Sequence, residues 1–427
     1  MYFVPFIYFS ALTYYFWQKN RAYDLATYMS TLFSITSLCC IIMVLGNHMS
    51  GSGVLVDGWE PNFGVIPTIL YCALITITIF PFSFINIKQV EHIGNIHRIF
   101  LYVFTGFILI QGLTIFLLTG NFLSTLLQGD FKYIKDAGYA GDITPADAMM
   151  MTMPLPIQMM YLTCTITLLG IPLFFYYTGV EKKSLWKTAP ILAVSITPVL
   201  RGILSADRTE IIHYGLMFLF SFVFFQRFIT KGMKKFLLLT TIPTLAIGIV
   251  YIIAVSTSRF ENTEEGASGS MLEYAGQSYV NFCYFYDYHD RELYYIEREF
   301  PMTSYFIFKD QYTDTKEERS AKEGFFIGVF ASHVGSWFLD TGAIGSLLIC
   351  IVFAVICCLV IKRYNRTEFD IADVIMIFTL GAVPTFGIFY YRYYSIATAF
   401  VYVAAGILYL FSKYIFVWEK EQELTKI

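Results

Sequence analysis

Thr341–Ile361 reads TGAIGSLLICIVFAVICCLVI, an uncharged run set between Asp340 and the basic pair Lys362–Arg363. Twenty-one residues of α-helix extend about 30 Å, the thickness of a bilayer's hydrocarbon core. A helix lying on a water-soluble core needs a polar stripe, and this one has none. Comparable runs recur on both sides, at about 2–18, 25–46, 64–86, 99–119, 155–178, 188–204, 211–226, 236–255, 371–390 and 394–412. The pattern predicts an all-α, polytopic transmembrane helix bundle of about eleven spans.

Composition agrees. The 427 residues are 56% hydrophobic, 19% aromatic and 14% charged, whereas a soluble domain carries about 25% charged residues. A small soluble enzyme, a disordered scaffold and a disulfide-knit secreted module are excluded. Of the 8 cysteines, seven fall in apolar runs and only Cys283 is expected outside them. No Cys/His spacing suggests zinc, so neither a metal nor a cofactor is expected.

The formal charge of −3 hides a strong asymmetry. Alternate connections hold 17 of the 29 basic residues with 9 acidic ones, while the other set holds 12 basic and 23 acidic residues. By the positive-inside rule the first set is cytoplasmic. The N-terminus then starts on the exoplasmic side and the tail 413–427 ends inside. No basic stretch precedes the first apolar run, so no cleavable signal is expected. No basic residue is expected deep in a span.

Three blocks follow: an N-terminal bundle of about eight spans over 1–255, a large exoplasmic loop over 256–340, and C-terminal spans with a short cytoplasmic tail over 341–427. Within the loop, Ser256–Ser270 is turn-like. Met271–Tyr295 places Leu272, Ala275, Tyr279, Phe282 and Tyr286 at helical spacing, predicting a Tyr-rich amphipathic helix at headgroup level. The charged stretch 309–323 must be solvated. Gly324–Trp337 is apolar but too short to span, and predicts a helix lying on or re-entering the membrane.

Most candidate chemistry sits on the outer side. Arg201 and Arg208, in PVLRGILSADRTEII, flank a short outer turn against the charge bias. Two guanidinium forks suit a diphosphate; the alternative is a pair of interfacial anchors joined to Asp207 and Glu210. Arg392, in FYYRYYS, is either a third ligand group or a cation–π anchor in an aromatic belt. His333 and Asp340, seven residues apart in ASHVGSWFLDTGAIGSLLI, share nearly one helical face. Either is a candidate general base, and the alternative is a packing histidine with a capping aspartate.

On these residues the chain resembles the bacterial oligosaccharide repeat-unit polymerases, the Wzy-type O-antigen polymerase family. The resemblance rests on Leu204–Phe225 (LSADRTEIIHYGLMFLFSFVFF), on Gly335–Ile356 with its Asp-x-Gly-x-x-Gly segment, and on the late aromatic turn Gly387–Phe400. It implies a GT-C-like fold in the bacterial cytoplasmic (inner) membrane and a metal-independent, inverting glycosyl transfer on its outer face. Donor and acceptor would be undecaprenyl-diphosphate-linked glycans. Arg201, Arg208 and Arg392 would bind the diphosphate, and His333 or Asp340 would act as base. Membrane lipid and a chain-length regulator are the expected partners, and no nucleic acid is. The nearest alternatives are an O-antigen ligase, sharing the same chemistry, and a polysaccharide flippase or transporter.

Overall fold

The computed structural model describes residues 1–46, 62–120, 150–205, 207–237, 266–288, 296–309, 316–325, 327–362 and 367–415, with positions 239, 250, 252 and 253. Its described residues are helical apart from turns and one parallel ribbon, His92–Gly94 (β1) with Glu368–Asp370 (β2). Helices coincide with every expected span except 236–255, most of which lies outside the described residues. Among the described residues six helical segments are long and apolar enough to cross a membrane, or seven when a pair bent by 57° counts as one. The chain is an all-α membrane protein.

Two compact units emerge, and each is taken by itself. One comprises Met1–Lys88, Phe260–Arg366 and Leu380–Ala399; the other comprises Gln89–Arg259, Thr367–Thr379 and Phe400–Ile427.

In the first unit, Val4–Asn20 (α1) packs on Leu25–Leu45 (α2) through small polar contacts. Ser10 meets Ser34 at 2.7 Å and Thr13 donates to Ser30 at 3.0 Å. Without a hydrophobic drive between helices in lipid, such small side chains and hydroxyl bonds hold helix pairs together. Asp24 caps α2, accepting from Thr27 N and Thr27 Oγ1, each at 2.8 Å, and from Asn20 Nδ2. Burial pushes its carboxyl above the usual carboxylate range.

Val65–Ile79 (α3) follows. The segment expected at headgroup level folds as Gly266–Tyr288 (α10 in chain order), so Gly266–Ser270 is helical rather than turn-like. From Gly276 to Phe285 this helix is buried on every side. A Cβ at Gly276 would stand 2.8 Å from the backbone of Cys39 and Cys40, so α10 crosses α2 in near backbone contact. Cys283, expected to face outward, is fully buried. The heptad-like pattern was correct; the environment it faces is protein, not the membrane surface.

The deciding stretch belongs to Ser332–Lys362 (α13), broken at Gly342, whose φ of 68° and ψ of −172° lie where only glycine sits comfortably. Trp337 and Phe353 would be about 24 Å apart along a straight helix, yet their rings approach to 6.2 Å. The chain therefore turns sharply at Gly342. The short arm before it is wholly buried from Ala331 to Asp340. At its start Ser332 has φ 64°, and the backbone N–H groups of Ser332 and His333 donate to Phe389 O (2.7 Å) and Gly387 O (2.9 Å). Irregular backbone at membrane depth needs such internal partners. The helix begins only at Ser332, so of the apolar helix expected over Gly324–Trp337 the described residues before Ser332 are non-helical.

In the second unit, Arg98–Gly120 (α4) packs with Leu155–Leu162 (α5), Gly170–Phe175 (α6), Leu185–Ser195 (α7) and Thr197–Leu204 (α8). Thr209–Phe225 (α9) completes this group. Ile371–Phe386 (α14) and Ile396–Leu410 (α15) each contribute to both units. Beyond α15, a single π turn at Phe411–Ile415 carries Lys413. Lys413 stands next to the end of the apolar run Ala397–Tyr414, not deep in it. Lys413 is buried, held at 2.8 Å by Asp373 and in closer contact with Asp370. Two carboxylates make burial of the ammonium tolerable, which charge counting by segment does not register.

Candidate functional site

The five residues singled out from the sequence fall into two groups, one in each unit. His333, Asp340 and Arg392 belong to the first unit; Arg201 and Arg208 belong to the second.

His333 is fully buried. Its Nδ1 lies 3.2 Å from Gly387 O, and its Nε2 lies 3.1 Å from Thr78 Oγ1. Thr78 sits about 20 Å along α3 from its first residue. Trp337 meets the imidazole edge-on at 5.1 Å, and a Cβ at Gly387 would come within 2.3 Å of Nδ1. Both ring nitrogens are engaged by the protein, one of them with a carbonyl that fixes it as a donor. This is a packing histidine that ties α13 to α3 and α14.

Asp340 lies at the far end of the same arm, fully buried, with Oδ2 accepting from Glu299 N at 3.1 Å. Glu299 in turn is 3.4 Å from Arg298 Nε. Aromatic rings wall this group. Phe300 stacks near Trp337 (6.2 Å) and Tyr391 (5.2 Å), and Trp337 and Tyr391 are 5.5 Å apart. Tyr391 N donates to Ser336 Oγ at 3.3 Å, which brings the turn bearing Arg392 against the arm bearing Asp340. Arg392 is itself buried, and its carbonyl accepts from Thr398 Oγ1. Trp337 Nε1, Ser304 Oγ and Arg298 Nη1 have no hydrogen-bond partner among the described residues. Buried donors left unpaired in this way cost about 1–3 kcal/mol each, and a polar ligand would satisfy them.

In the second unit, Arg201 lies in the last turn of α8 with its guanidinium donating to Leu162 O (3.2 Å) and Cys164 Sγ (3.6 Å), over the Tyr161 ring at 5.1 Å. Arg208 sits at the N-cap position of α9, and Asp207 Oδ1 accepts from Thr209 N at 3.0 Å. One turn on, His213 Nδ1 is 3.8 Å from Glu210 Oε2, with the imidazole fully buried. Sequence reading passed over this pair; its signal was a His three residues after a Glu in an otherwise apolar helix. It also passed over Trp337, one helical turn before Asp340, and over Arg298 and Glu299, which the fold brings to Asp340 from 41 residues away at Glu299.

Among the described residues no group of three or more His, Cys, Asp or Glu is arranged to hold a metal ion. Comparison of the chain with protein-family models, curated proteins and solved structures finds no match.

Proposed function

We propose that the chain is a multi-pass membrane glycosyltransferase that polymerises undecaprenyl-diphosphate-linked oligosaccharide repeat units into surface polysaccharide. In this reading about eleven spans form a GT-C-like bundle in a bacterial cytoplasmic membrane, N-terminus outside and C-terminus inside. One observation carries it. The loop-end Asp segment and the late aromatic turn, two of the three stretches on which the resemblance rests, pack together through Ser336, Trp337 and Tyr391. They form a buried group holding a carboxylate, a guanidinium and aromatic faces.

The chemistry then divides among these side chains. An acceptor sugar hydroxyl attacks the anomeric carbon of the donor, and the bond to undecaprenyl diphosphate breaks. Asp340 takes the hydroxyl proton; His333, engaged at both nitrogens, orients the arm. Arg392 stabilises charge on the departing diphosphate, a role the resemblance also extends to Arg201 and Arg208. The aromatic walls receive sugar faces, and the unpaired donors of Trp337 and Arg298 bind sugar oxygens. For substrate to reach Asp340, the Glu299–Phe300 turn covering it has to be displaced.

Deleting the gene tests the reading directly. A polymerase null leaves surface glycan of a single repeat unit on a gel, whereas unchanged long chains would sink the proposal. An O-antigen ligase null instead leaves long chains on the lipid carrier and none on the final acceptor. Complementation with Arg208→Ala should fail at normal protein abundance, by about 10²–10³-fold in transfer rate. A flippase or transporter is the second reading, favoured by the buried Lys413–Asp370–Asp373 group. Under it, loss of the gene traps repeat units on the inner leaflet.

A further inference from the structure

The membrane-surface helix expected in the large loop was assigned to the wrong segment, and the structure offers another. Pro301–Phe308 (α11), PMTSYFIF, contains no charged residue and only Thr303 and Ser304 as polar ones besides the Tyr305 hydroxyl. Its second turn is exposed at four consecutive positions, from 50% at Phe308 to 76% at Phe306, with Tyr305 and Ile307 between these values. Successive helical residues are about 100° apart, so four in a row cover most of the helix circumference. A helix lying on a flat protein surface would shelter one side, and one in water would carry polar groups on the others. This turn does neither.

We propose that α11 is an interfacial plug whose second turn is surrounded by lipid at the boundary of headgroups and acyl chains. Three observations fix the occupant and the depth. The helix is about 12 Å long, which reaches the outer acyl region and no further. It ends at Lys309, exposed and with φ 56°, immediately before a strongly charged stretch that has to stay in water. Its start is fastened to α13: Glu299 N donates to Asp340 and Phe300 stacks on Trp337. Only a few residues past Asp340 the outward apolar row of α13 begins, at Ile344, Leu348, Ile351, Val352, Val355 and Leu359. The exposed turn of α11 is thus joined through Asp340 and Trp337 to the helix that carries this apolar row, and exposed apolar surface of this extent needs a cover. Aromatic residues at such a boundary are the ordinary anchors of membrane proteins.

The inference stands apart from the reaction chemistry, so glycan assays do not decide it. The test places p-benzoylphenylalanine at Phe306 in the full chain, in native membranes, with the same group at Phe282 as a buried control. After irradiation, peptides spanning 301–309 are examined by mass spectrometry for adducts. Phospholipid acyl adducts at position 306 and their loss at position 282 are the expected result. A crosslink from position 306 to a second copy or to another protein, in place of lipid, would overturn the proposal. So would absence of any adduct together with labelling of Phe306→Cys by a membrane-impermeant maleimide, which would place the turn in water.

Discussion

The two units each contain a buried ionic group, and they differ in how completely it is satisfied. In the second unit Lys413 lies within hydrogen-bond reach of both Asp370 and Asp373, Ser412 adds a bond to Asp370, and the π turn presents them. Around Asp340 in the first unit, donors on Trp337, Arg298 and Ser304 are left without partners among the described residues. Both groups combine basic and acidic side chains, so the presence of charge does not separate them. Satisfaction does. A closed group is explained by the fold it holds together, while an open one carries a cost that the fold alone does not repay.

The contrast can be broken by substitution. Lys413→Met leaves buried Asp373 and part-buried Asp370 without their cation, and should cost about 3 kcal/mol. Thermal unfolding in detergent measures it, and adding Asp370→Asn and Asp373→Asn should restore most of the loss. A folded, abundant Lys413→Met protein would mean the closed group is not structural, and would shift weight to the transporter reading. Asp340→Asn keeps an acceptor for Glu299 N and should leave unfolding temperature unchanged. Glycan transfer should fall by about 10²–10⁴-fold, and full chain length in that variant would remove Asp340 from the reaction.

Trp337→Phe sharpens the comparison further. It removes an unpaired donor along with part of the ring, so the two terms oppose and stability should move by less than about 1.5 kcal/mol. Transfer should drop nonetheless, if the indole N–H meets a sugar oxygen. The smallest effect belongs to Asp24, another buried carboxylate and one already bonded to three donors. Asp24→Asn keeps the cap and should change stability by about 1 kcal/mol or less. Its pH dependence has a definite sign. A carboxyl raised in the folded state favours folding while protonated and loses that contribution as pH rises through the folded value. The wild type should therefore gain on the Asn variant as pH falls, in denaturation series run from neutral to mildly acidic buffer.

Spans were legible in the sequence because length and lack of charge suffice for them, as Thr341–Ile361 shows. What each helix faces was not. In a membrane protein an outward apolar residue is as well placed in lipid as an inward one is in protein, so periodicity stops distinguishing the two. Hence α10, with its row of tyrosines, looked interfacial and is buried, while α11 carried no periodic signal and is the exposed one. The burial of Lys413 was not legible either, because its two carboxylate partners lie some 40 residues earlier in the chain. Arg201, Arg208, Arg392 and Asp340 were visible as charges out of place. Glu299 was not, since it reaches Asp340 from 41 residues earlier in the chain.

The turn at Gly342 has a mechanical consequence. A bilayer thins, thickens and tilts the helices that cross it, each at a modest cost. In an unbroken rod such motion would be delivered along the axis to whatever stands at its end. At Gly342 the lipid-facing run of α13 is jointed to the arm that carries Asp340, and the arm is clamped instead by Gly387, Thr78 and Tyr391. The span can follow the membrane while the arm stays in register with the protein, so the joint works as an isolation mount between them.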